Sequence, residues 1–505
     1  MRHRTPYPLL LAGAALAPGA CCEQEGGGAP PNIVFILADD LGWGDLGCYG
    51  QQLFSTPNID GLAANGVRFT QCYSGTSVSA PSRSCLLTGM HSGHTPVRGN
   101  LELAPEGQFP LPEGIETIFS EMKKAGYRTG AFGKWGLGFI GTSGEPSRQG
   151  IDEFYGFNCQ KLAHSYYADH IWHNSVRIDL PDNTDSVPYG EGTYVPDLIH
   201  RKALEFLEGS VKEGRPFFLW YPTTIPHAEL IAPRDSILQR FIGTFPETPY
   251  SGTDSGPGFR TGGYCSQEYP RATFAAMVTR LDVYVGEIIA TLKALGVYDN
   301  TLIIFSSDNG PHREGGADPD YFDSNGPWRG YKRDLYEGGI RVPMIVSWPG
   351  RTDEGTESDF VCSFWDLMPT FREVAGVPVN AGTDGRDNDG TDRSDDAGTD
   401  GISLLPLLEG REGQKEHEYL YFEFQEMGGR QAVRKGDWKA LCLNVRSEAP
   451  VYELYNLADD PGETTDLSGE RPDILSALKD IMEEAHIPNP DFPLLRGEFY
   501  SKSTT

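Results

Sequence analysis

Continuous apolar runs alternate along the chain with segments in which apolar residues recur every three or four positions. Four runs end abruptly in polar residues: PNIVFILADD at 31–40, GYRTGAFGK at 126–134, RPFFLWYPTTIPH at 215–227 and NTLIIFSSDNG at 300–310. A continuous run is typical of a strand covered on both faces in a parallel sheet. The periodic segments at 115–126 and 274–296 predict amphipathic helices. This order of elements predicts an α/β fold with a mainly parallel central sheet sandwiched by helices.

The polar residues that end these runs are expected to lie together. In an α/β fold, ligands bind beyond the carboxyl ends of the strands, because those ends meet at one edge of the sheet. Each residue alone has an ordinary explanation, such as a turn cap for a carboxylate, but such explanations do not account for all of them at once. The residues expected at this edge are Asp39, Asp40, Lys134, His227, Asp308 and Asn309.

The pattern changes near residue 418. The segments at 419–424, 430–443 and 450–457 predict short antiparallel strands, and DILSALKDIMEEAHI at 473–487 predicts a closing helix. We therefore expect a larger domain over 32–415 and a smaller C-terminal α+β subdomain, carrying an antiparallel sheet, over 416–505.

Residues 380–401, NAGTDGRDNDGTDRSDDAGTDG, contain almost no apolar residue. Such a composition cannot form a core and predicts a low-complexity acidic loop on the surface of the larger domain. The spaced Asp and Gly residues also suggest a calcium site, but the EF-hand pattern with its closing Glu is absent. Solvated disorder is therefore the preferred interpretation.

The formal net charge of the 505-residue chain is −29 at pH 7. This charge argues against nucleic-acid binding and offers no polybasic patch for an anionic membrane. The basic start and short apolar run of the N-terminus predict a signal peptide with a linker over residues 1–31, rather than a membrane span. The small residues before Cys21 and Cys22 resemble a bacterial lipoprotein cleavage site, and a soluble exported protein cut nearby is the alternative.

The remaining cysteines are scattered and form no CxxC pair. Zinc ligation and a dense disulfide framework are therefore not indicated. One or two disulfides in an oxidising compartment stay open.

The residues expected at the sheet edge combine hard oxygen ligands with cations. Three carboxylates and one amide suit calcium or magnesium and suit zinc or copper poorly. The neutral amide of Asn309, in place of an imidazole, argues against a two-zinc phosphatase centre. Beside a divalent ion, Arg83, Lys134, Lys332 and His227 would select a small, multiply charged oxyanion.

The stretch SAPSRSCLLTG at 79–89 has two interpretations. Alone it is an ordinary helix start, with Ser79 as the N-cap and Pro81 in the first turn. It also resembles the signature of the type I sulfatases, Cys or Ser followed by x-Pro-Ser-Arg and then Leu-Thr-Gly. Further stretches resemble that family in its usual order: ILADDLGWGDLGCYG at 36–50, GKWGLG at 133–138, IPH at 225–227, SDNG at 307–310, RGYKRDLYEGGIRVP at 329–343 and YELYNLADDPGE at 452–463.

This resemblance covers nearly the whole mature chain and implies an alkaline phosphatase-like fold. It also implies that residue 79 is oxidised after translation to formylglycine. Because the residue is Ser rather than Cys, a bacterial radical-SAM maturase is the implied partner. One hydroxyl of the aldehyde hydrate would attack sulfur, and deprotonation of the second would later expel sulfate and restore the aldehyde. An unmodified Ser79 cannot perform that last step.

The same motifs imply roles for the other residues. Arg83 would hold the formylglycine hydrate, His227 would protonate the leaving sugar alcohol, and sulfate oxygens would be bound by Lys134 and Lys332. Calcium would be bound by Asp39, Asp40, Asp308 and Asn309, with Ser79, once matured, completing the shell.

The chain departs from the family pattern at one position. Many relatives have GKWHLG, with a His that contacts formylglycine, whereas this chain has Gly136. His164 is a candidate replacement or substrate contact, and a structural His in an aromatic-rich loop is the alternative. His312 and Arg313, beside SDNG, are candidate substrate contacts, with an ordinary loop as the alternative.

The expected function is that of an exported, calcium-dependent sulfatase acting on carbohydrate sulfates. We expect a periplasmic, outer-membrane lipoprotein or extracellular location, with a lipid anchor as the only link to a membrane. An acidic protein that meets a polyanion favours attack on a terminal sugar. The general look of the stretches HSYY at 164–167 and GPHREGG at 310–316 suggests a galactose or N-acetylgalactosamine sulfate as the first candidate. One alternative is a metal-dependent phosphohydrolase with Ser79 as direct nucleophile. Another is a non-catalytic sulfoglycan-binding protein in which Ser79 is never matured.

Overall fold

In a computed structural model, which describes residues 29–186, 192–255, 263–377 and 398–499, the four apolar runs form neighbouring strands of one 11-stranded sheet. Residues 1–28 of the predicted signal segment and residues 380–397 of the predicted acidic loop lie outside the described residues. The strands are β1 (Asn32–Ala38), β2 (Val67–Tyr73), β3 (Glu102–Leu103), β4 (Gly107–Gln108), β5 (Arg128–Lys134), β6 (Glu153–Phe157), β7 (His170–His173), β8 (Val176–Asp179), β9 (Phe217–Pro222), β10 (Thr301–Ser307), β11 (Arg341–Ser347), β12 (Thr356–Ser358), β13 (Cys362–Ser363), β14 (Leu420–Phe424), β15 (Arg430–Lys435), β16 (Trp438–Leu443) and β17 (Val451–Asn456).

Helices cover both faces of the large sheet. Along β1, Val34 and Ile36 enter the core formed with the helices Val195–Glu213 and Pro270–Ala294. Ile33 and Phe35 enter the core on the opposite face, with the helices Ile118–Lys124 and Leu367–Val374. The helices are α1 (Pro57–Ala64), α2 (Ser79–Thr88), α3 (Ile118–Lys124), α4 (Gln160–Ala163), α5 (Val195–Glu213), α6 (Ser236–Phe241), α7 (Pro270–Ala294), α8 (Pro319–Phe322), α9 (Glu337–Ile340), α10 (Leu367–Val374), α11 (Leu405–Leu408) and α12 (Pro472–Glu484).

The strand order in the large sheet is β12-β2-β11-β10-β1-β9-β5-β6-β7-β8, with β13 beside β2. Pairing is parallel across the consecutive strands β10, β1, β9, β5 and β6, so their carboxyl ends meet at one edge, which we call the catalytic edge. Strand β11 is antiparallel to both β10 and β2, so β2 also ends at the catalytic edge and β11 begins there. The predicted α/β fold with a mainly parallel, helix-covered sheet is therefore confirmed.

A second, antiparallel sheet in the order β14-β15-β16-β17 forms near the C-terminus, as predicted. Residues of β14 alternate between its faces. Leu420 and Phe422 pack against Tyr73 and Trp365 of the large domain, and Tyr421 belongs to the core shared with α12. This sheet therefore lies between α12 and the large domain. The boundaries at 31/32 and 415/416 stay predictions.

A buried ionic network joins the two sheets. Lys439 Nζ of β16 lies 2.8 Å from Glu337 Oε1 at the start of α9 and 2.8 Å from Glu463 Oε1. The second Glu337 oxygen accepts the Tyr73 hydroxyl at 2.6 Å and lies 3.2 Å from Arg341 Nη1. All of these charges are withdrawn from solvent, so each depends on its partners rather than on water.

The last residues of the predicted acidic loop are anchored to the large domain. The backbone N–H of Asp400 donates to Gly89 O at 2.8 Å, and its carboxylate accepts from the His91 backbone at 2.9 Å and contacts His94 Nδ1 at 2.9 Å. Gly401 is buried. Within the described residues, the cysteines are free and none of the helices is long and apolar enough to span a membrane.

His486, which follows α12, contacts one carboxylate of the second sheet and one of the C-terminal segment. Its Nδ1 lies 2.7 Å from Glu423 Oε2 and its Nε2 lies 2.6 Å from Glu498 Oε1. Burial alone would lower the pKa of His486, but these carboxylates raise it above the ordinary value of 6.5. The protonated imidazole therefore stabilises the folded protein fully below pH 6.5, and this contribution is lost as the pH rises through the raised pKa.

Replacing His486 by Gln should lower the free energy of unfolding by roughly 1–3 kcal/mol at pH 6, because charge-assisted hydrogen bonds are removed. The difference from the wild type should shrink as the pH is raised above 6.5. Urea denaturation at a series of pH values measures it, with the half-exposed His173 replaced by Gln as the control. A pH-independent difference would contradict the prediction.

Candidate active site

The predicted carboxylate and amide ligands meet at the catalytic edge. Asp39 and Asp40 follow β1, and Asp308 and Asn309 follow β10, which pairs with β1 in parallel. The Asp40 backbone N–H donates to Asp308 Oδ1 at 3.1 Å, and Asn309 Nδ2 donates to Asp40 Oδ1 at 2.7 Å. All four side chains are at most 1 % exposed. Adjacent parallel strands thus bring together three carboxylates and an amide from distant parts of the sequence.

Ser79 lies at the first residue of α2 rather than at its N-cap. Val78 is the N-cap, and Ser79 Oγ instead lies 3.2 Å from Asp39 Oδ1. Lys134 Nζ, from the end of β5, donates to Asp39 Oδ2 at 2.7 Å and to Ser79 Oγ at 3.3 Å. The N-cap interpretation is therefore wrong, and the serine hydroxyl belongs to the carboxylate cluster.

Arg83, one turn further along α2, contacts the carboxylate cluster through Asp308. Its Nε and Nη2 donate to Asp308 Oδ2 at 3.0 and 2.9 Å, and its Nη1 donates to the Lys134 carbonyl. The guanidinium is fully buried. It therefore ties α2 to the ends of β5 and β10 and fixes the position of Ser79.

Lys332 and His227 close the other side of the cluster. Lys332 Nζ lies 2.9 Å from Asp40 Oδ2, 2.8 Å from His227 Nε2 and 2.9 Å from Glu314 Oε2. His227 Nε2 also lies 3.1 Å from Asp40 Oδ2. The chain reaches Lys332 shortly before β11, whose amino end lies at the catalytic edge. Lys134 and Lys332, the two lysines predicted to bind sulfate oxygens, therefore both contact the carboxylate cluster.

Two further imidazoles stack on His227. The ring of His164 lies 4.6 Å from it at an interplanar angle of 10°, and the ring of His312 lies 5.3 Å away at 18°. His312 Nε2 contacts the Pro226 carbonyl at 3.3 Å, whereas His164 Nδ1 is buried without a hydrogen-bond partner among the described residues. Both predicted histidines therefore lie beside the cluster.

The structure does not bring Arg313 to this cluster. Its guanidinium binds Asp320 at 2.7 Å and lies over the Tyr331 ring, with about half of the side chain exposed. Sequence reasoning also missed Glu314, which follows Arg313 and lies 2.7 Å from Arg333 Nη1 as well as contacting Lys332. Its only signal was its place in the loop that continues from SDNG.

Burial and neighbouring charges shift the pKa values of the site residues. Burial alone would raise the pKa of Asp39, but the neighbouring cations Lys134 and Arg83 hold it well below its usual range. Burial and the neighbouring charge of Asp39 raise the pKa of Asp308 to about 6. Burial and the nearby Lys332 ammonium lower the pKa of His227. Near pH 7 the cluster therefore combines an ionised Asp39 with a neutral His227.

The ligand set fits a hard divalent cation. Asn309 Oδ1 is buried and has no hydrogen-bond partner within the described residues, which is costly unless a ligand satisfies it. Oxygens of Asp39 and Asp40 lie within 4.8 Å of each other and of a His227 nitrogen. Crowded carboxylates with an amide oxygen are the ligands that calcium or magnesium prefers, and a cation would relieve the repulsion that raises the pKa of Asp308.

Gly136 adopts a left-handed conformation with φ of +76°. A Cβ at this position would lie 3.2 Å from Gln160 Nε2. The backbone conformation therefore favours glycine, and the space beside it is occupied by the amide of Gln160.

Comparison with known proteins places this geometry in a family. The profile of the family described as "Sulfatase" matches residues 31–377, and one described as "N-sulphoglucosamine sulphohydrolase, C-terminal" matches residues 326–486. The chain is 31% identical to human Arylsulfatase A, an alignment that covers 94% of this chain and 90% of that protein. It is 29% identical to the N-acetylgalactosamine-6-O-sulfatase of Bacteroides thetaiotaomicron, with 94% and 97% covered.

A crystal structure of Ps i-CgsB in complex with k-i-k-neocarrahexaose is similar to this fold at a TM-score of 0.72 and 29% identity, covering 90% of this chain and 92% of that one. The phosphonate monoester hydrolase of Agrobacterium radiobacter shares the fold at a TM-score of 0.59 and 20% identity. The alkaline phosphatase-like fold implied by the motifs is confirmed. The chain belongs to the sulfatase family, and the protein is a sulfuric ester hydrolase.

Proposed function

We propose that the protein is an exported, calcium-dependent sulfatase that removes sulfate from a terminal sugar of the galactose or N-acetylgalactosamine type. The observation that carries this proposal is the convergence of Ser79, two lysines and a histidine on three buried carboxylates and an amide. The relatives include an N-acetylgalactosamine-6-O-sulfatase and a protein crystallised with a neocarrahexaose, which supports a carbohydrate sulfate as substrate.

Calcium would be held by Asp39, Asp40, Asp308 and Asn309. When bound, the ion would polarise an oxygen of the sulfate ester, and formylglycine made from Ser79 would supply the attacking oxygen. The chain itself provides the remaining positive charge. Lys134 and Lys332 each contact one carboxylate of the cluster and present ammonium groups on either side of it, where sulfate oxygens would be bound.

His227 is placed to move a proton at its Nε2 atom. Its Nδ1 contacts the Ala228 carbonyl, an acceptor, so Nδ1 carries the proton of the neutral ring and Nε2 exchanges protons with its surroundings. Lys332 Nζ lies 2.8 Å from Nε2. To protonate the leaving sugar alcohol, Nε2 of His227 would first accept a proton from the adjacent Lys332 ammonium and then give it to the sugar oxygen as its bond to sulfur breaks. His227 would return to its neutral form, and Lys332 would regain its proton from solvent.

The proposed location and maturation rest on the sequence. The basic and apolar N-terminal segment supports export to the periplasm, the outer membrane as a lipoprotein, or the medium. The Ser-x-Pro-Ser-Arg motif supports maturation of Ser79 by a radical-SAM enzyme. His164, with an unpartnered buried nitrogen beside His227, supports a role in contacting residue 79 or the substrate.

Mass spectrometry of protein from the native organism tests this mechanism. Cleavage after Arg68 and Arg83 releases the peptide 69–83, which should have lost two hydrogens at Ser79. The same preparation should hydrolyse sulfated but not phosphorylated galactose and N-acetylgalactosamine. Unmodified serine throughout an active preparation would contradict the formylglycine mechanism, and preferred hydrolysis of phosphate esters would favour the phosphohydrolase alternative.

A further inference from the structure

Three buried amide side chains have polar atoms that form no hydrogen bonds within the described residues. Gln108, Asn158 and Gln160, the amide cluster, are at most 5 % exposed. Four of their polar atoms have no hydrogen-bond partner among the described residues: Gln108 Nε2, Asn158 Nδ2, Asn158 Oδ1 and Gln160 Nε2. Buried polar atoms without partners are rare in folded proteins, so several together indicate a ligand or ordered water.

Strand register places Asn158 at the catalytic edge. Lys134, the last residue of β5, pairs in register with Phe157, the last residue of β6, and Asn158 follows directly. The pairing continues past the strands, since the Gly136 backbone N–H donates to Asn158 O at 3.0 Å. Asn158 therefore lies beside the chain segment that carries Lys134, which contacts Ser79.

Helix α4 places Gln160 at the same edge. Gln160 begins α4, and His164, the C-cap residue directly after it, stacks on His227. At a rise of about 1.5 Å per residue, the two ends of this turn lie roughly 6 Å apart along its axis. Gln160 Nε2 lies against Gly136, 3.2 Å from where a Cβ would be, and the Gln160 backbone N–H donates to Gln108 Oε1 at 3.2 Å. The amide cluster thus lies at the part of the catalytic edge that is bounded by Lys134 on one side and His227 on the other.

The chemistry of the unpartnered atoms selects the ligand. Three of the four are amide nitrogens, which only donate, and no carboxylate contacts them in the described residues. Neutral donors beside a lysine suit an oxyanion, because they stabilise charge on its oxygens without adding a charge that would trap the product.

We propose that Gln160 and Asn158 are sulfate-binding residues, whose amide N–H groups donate hydrogen bonds to oxygens of the sulfate ester. This inference rests on the proposed function, and it adds neutral donors to the two lysines. The absence of a side chain at Gly136 leaves the Gln160 amide room to reach the ligand.

Substitutions of similar size test the proposal in the full-length, calcium-loaded protein. Gln160→Met removes the donors and keeps the volume, and Gln160→Glu replaces them with a carboxylate that repels sulfate. We expect kcat/KM for a sulfated sugar to fall roughly 10- to 100-fold in the first variant and further in the second. Binding of inorganic sulfate, measured by calorimetry, should weaken in the same order, and Asn158→Leu should weaken it independently.

The control is Gln149→Met, because Gln149 is also buried but its Nε2 donates to Ser143 O at 2.8 Å within the protein. Its sulfate affinity and kcat/KM should equal those of the wild type. If Gln160→Met and Asn158→Leu bind sulfate as tightly as the wild type, the amide cluster holds only ordered water and the inference is wrong. A wild-type protein that hydrolyses no sulfate ester would instead overturn the proposed function, and this inference with it.

Discussion

Replacing Ser79 by Ala should abolish hydrolysis of sulfate esters, with kcat/KM falling by roughly 10⁴-fold or more, as expected when a nucleophile is removed. Ser79 Oγ forms the hydrogen bonds of this side chain with Asp39 and Lys134, and the alanine side chain cannot replace them or be oxidised to an aldehyde. The fold should persist, because the hydroxyl caps no helix and Arg83 still joins α2 to Asp308. Turnover of a sulfated sugar and circular dichroism measure the two effects.

Ser84→Ala, on the same helix, is the matched control. Ser84 Oγ contacts Thr95 Oγ1 at 2.6 Å and none of the cluster residues, so this variant should lose about 1 kcal/mol of stability and keep its activity. Substantial sulfatase activity in folded Ser79→Ala protein would show that residue 79 is not the nucleophile.

Replacing Lys439 by Met should lower the free energy of unfolding by about 3–5 kcal/mol near pH 8, because two buried carboxylates then lose their shared cation. Glu337 and Glu463 each lie 2.8 Å from Lys439 Nζ and are shielded from water. Burial already raises the pKa of Glu463 to about 7, against the opposing effect of Lys439. Without the lysine this pKa should rise further, so the deficit should shrink on acidification, as Glu463 binds a proton in the folded variant.

Urea denaturation at pH 8 and pH 6 measures this deficit. Lys435→Met is the control, because Lys435 pairs with Glu418 at the surface with both side chains largely exposed. Its effect should stay within about 0.5 kcal/mol at either pH. A Lys439→Met protein as stable as the wild type would show that the buried network does not stabilise the junction between the two sheets.

The strand-end residues could be predicted from the sequence, because the apolar runs that precede them are unambiguous and parallel strands end at a common edge. This reasoning located Asp39, Lys134 and Asp308 without any homologue. Lys332 could not be found this way, since it precedes the antiparallel strand β11, and only the motif at 329–343 pointed to it.

Other features had no local signal. Glu314 lies in a loop whose course brings it against Lys332. The pattern of apolar and polar residues does not predict the course of a loop. The amide cluster unites a hairpin residue, a strand end and a helix start, and uncharged amides are common on surfaces. Val78 rather than Ser79 caps α2 because the serine hydroxyl is engaged by Asp39, a tertiary contact that outweighs the local preference. Arg313 looked equivalent to His312 in sequence, yet it pairs with exposed Asp320.

The burial of α2 bears on the order in which residue 79 is modified and the protein folds. Every residue from Ser79 to Thr88 is shielded from solvent, and the helix is fastened beneath the sheet edge by Arg83. In the folded protein, the segment around residue 79 is buried and is therefore not accessible to a second protein. We therefore expect any enzyme that modifies this residue to act on the polypeptide before it has folded. The fraction of active molecules would then depend on how much of residue 79 is modified between translation and folding.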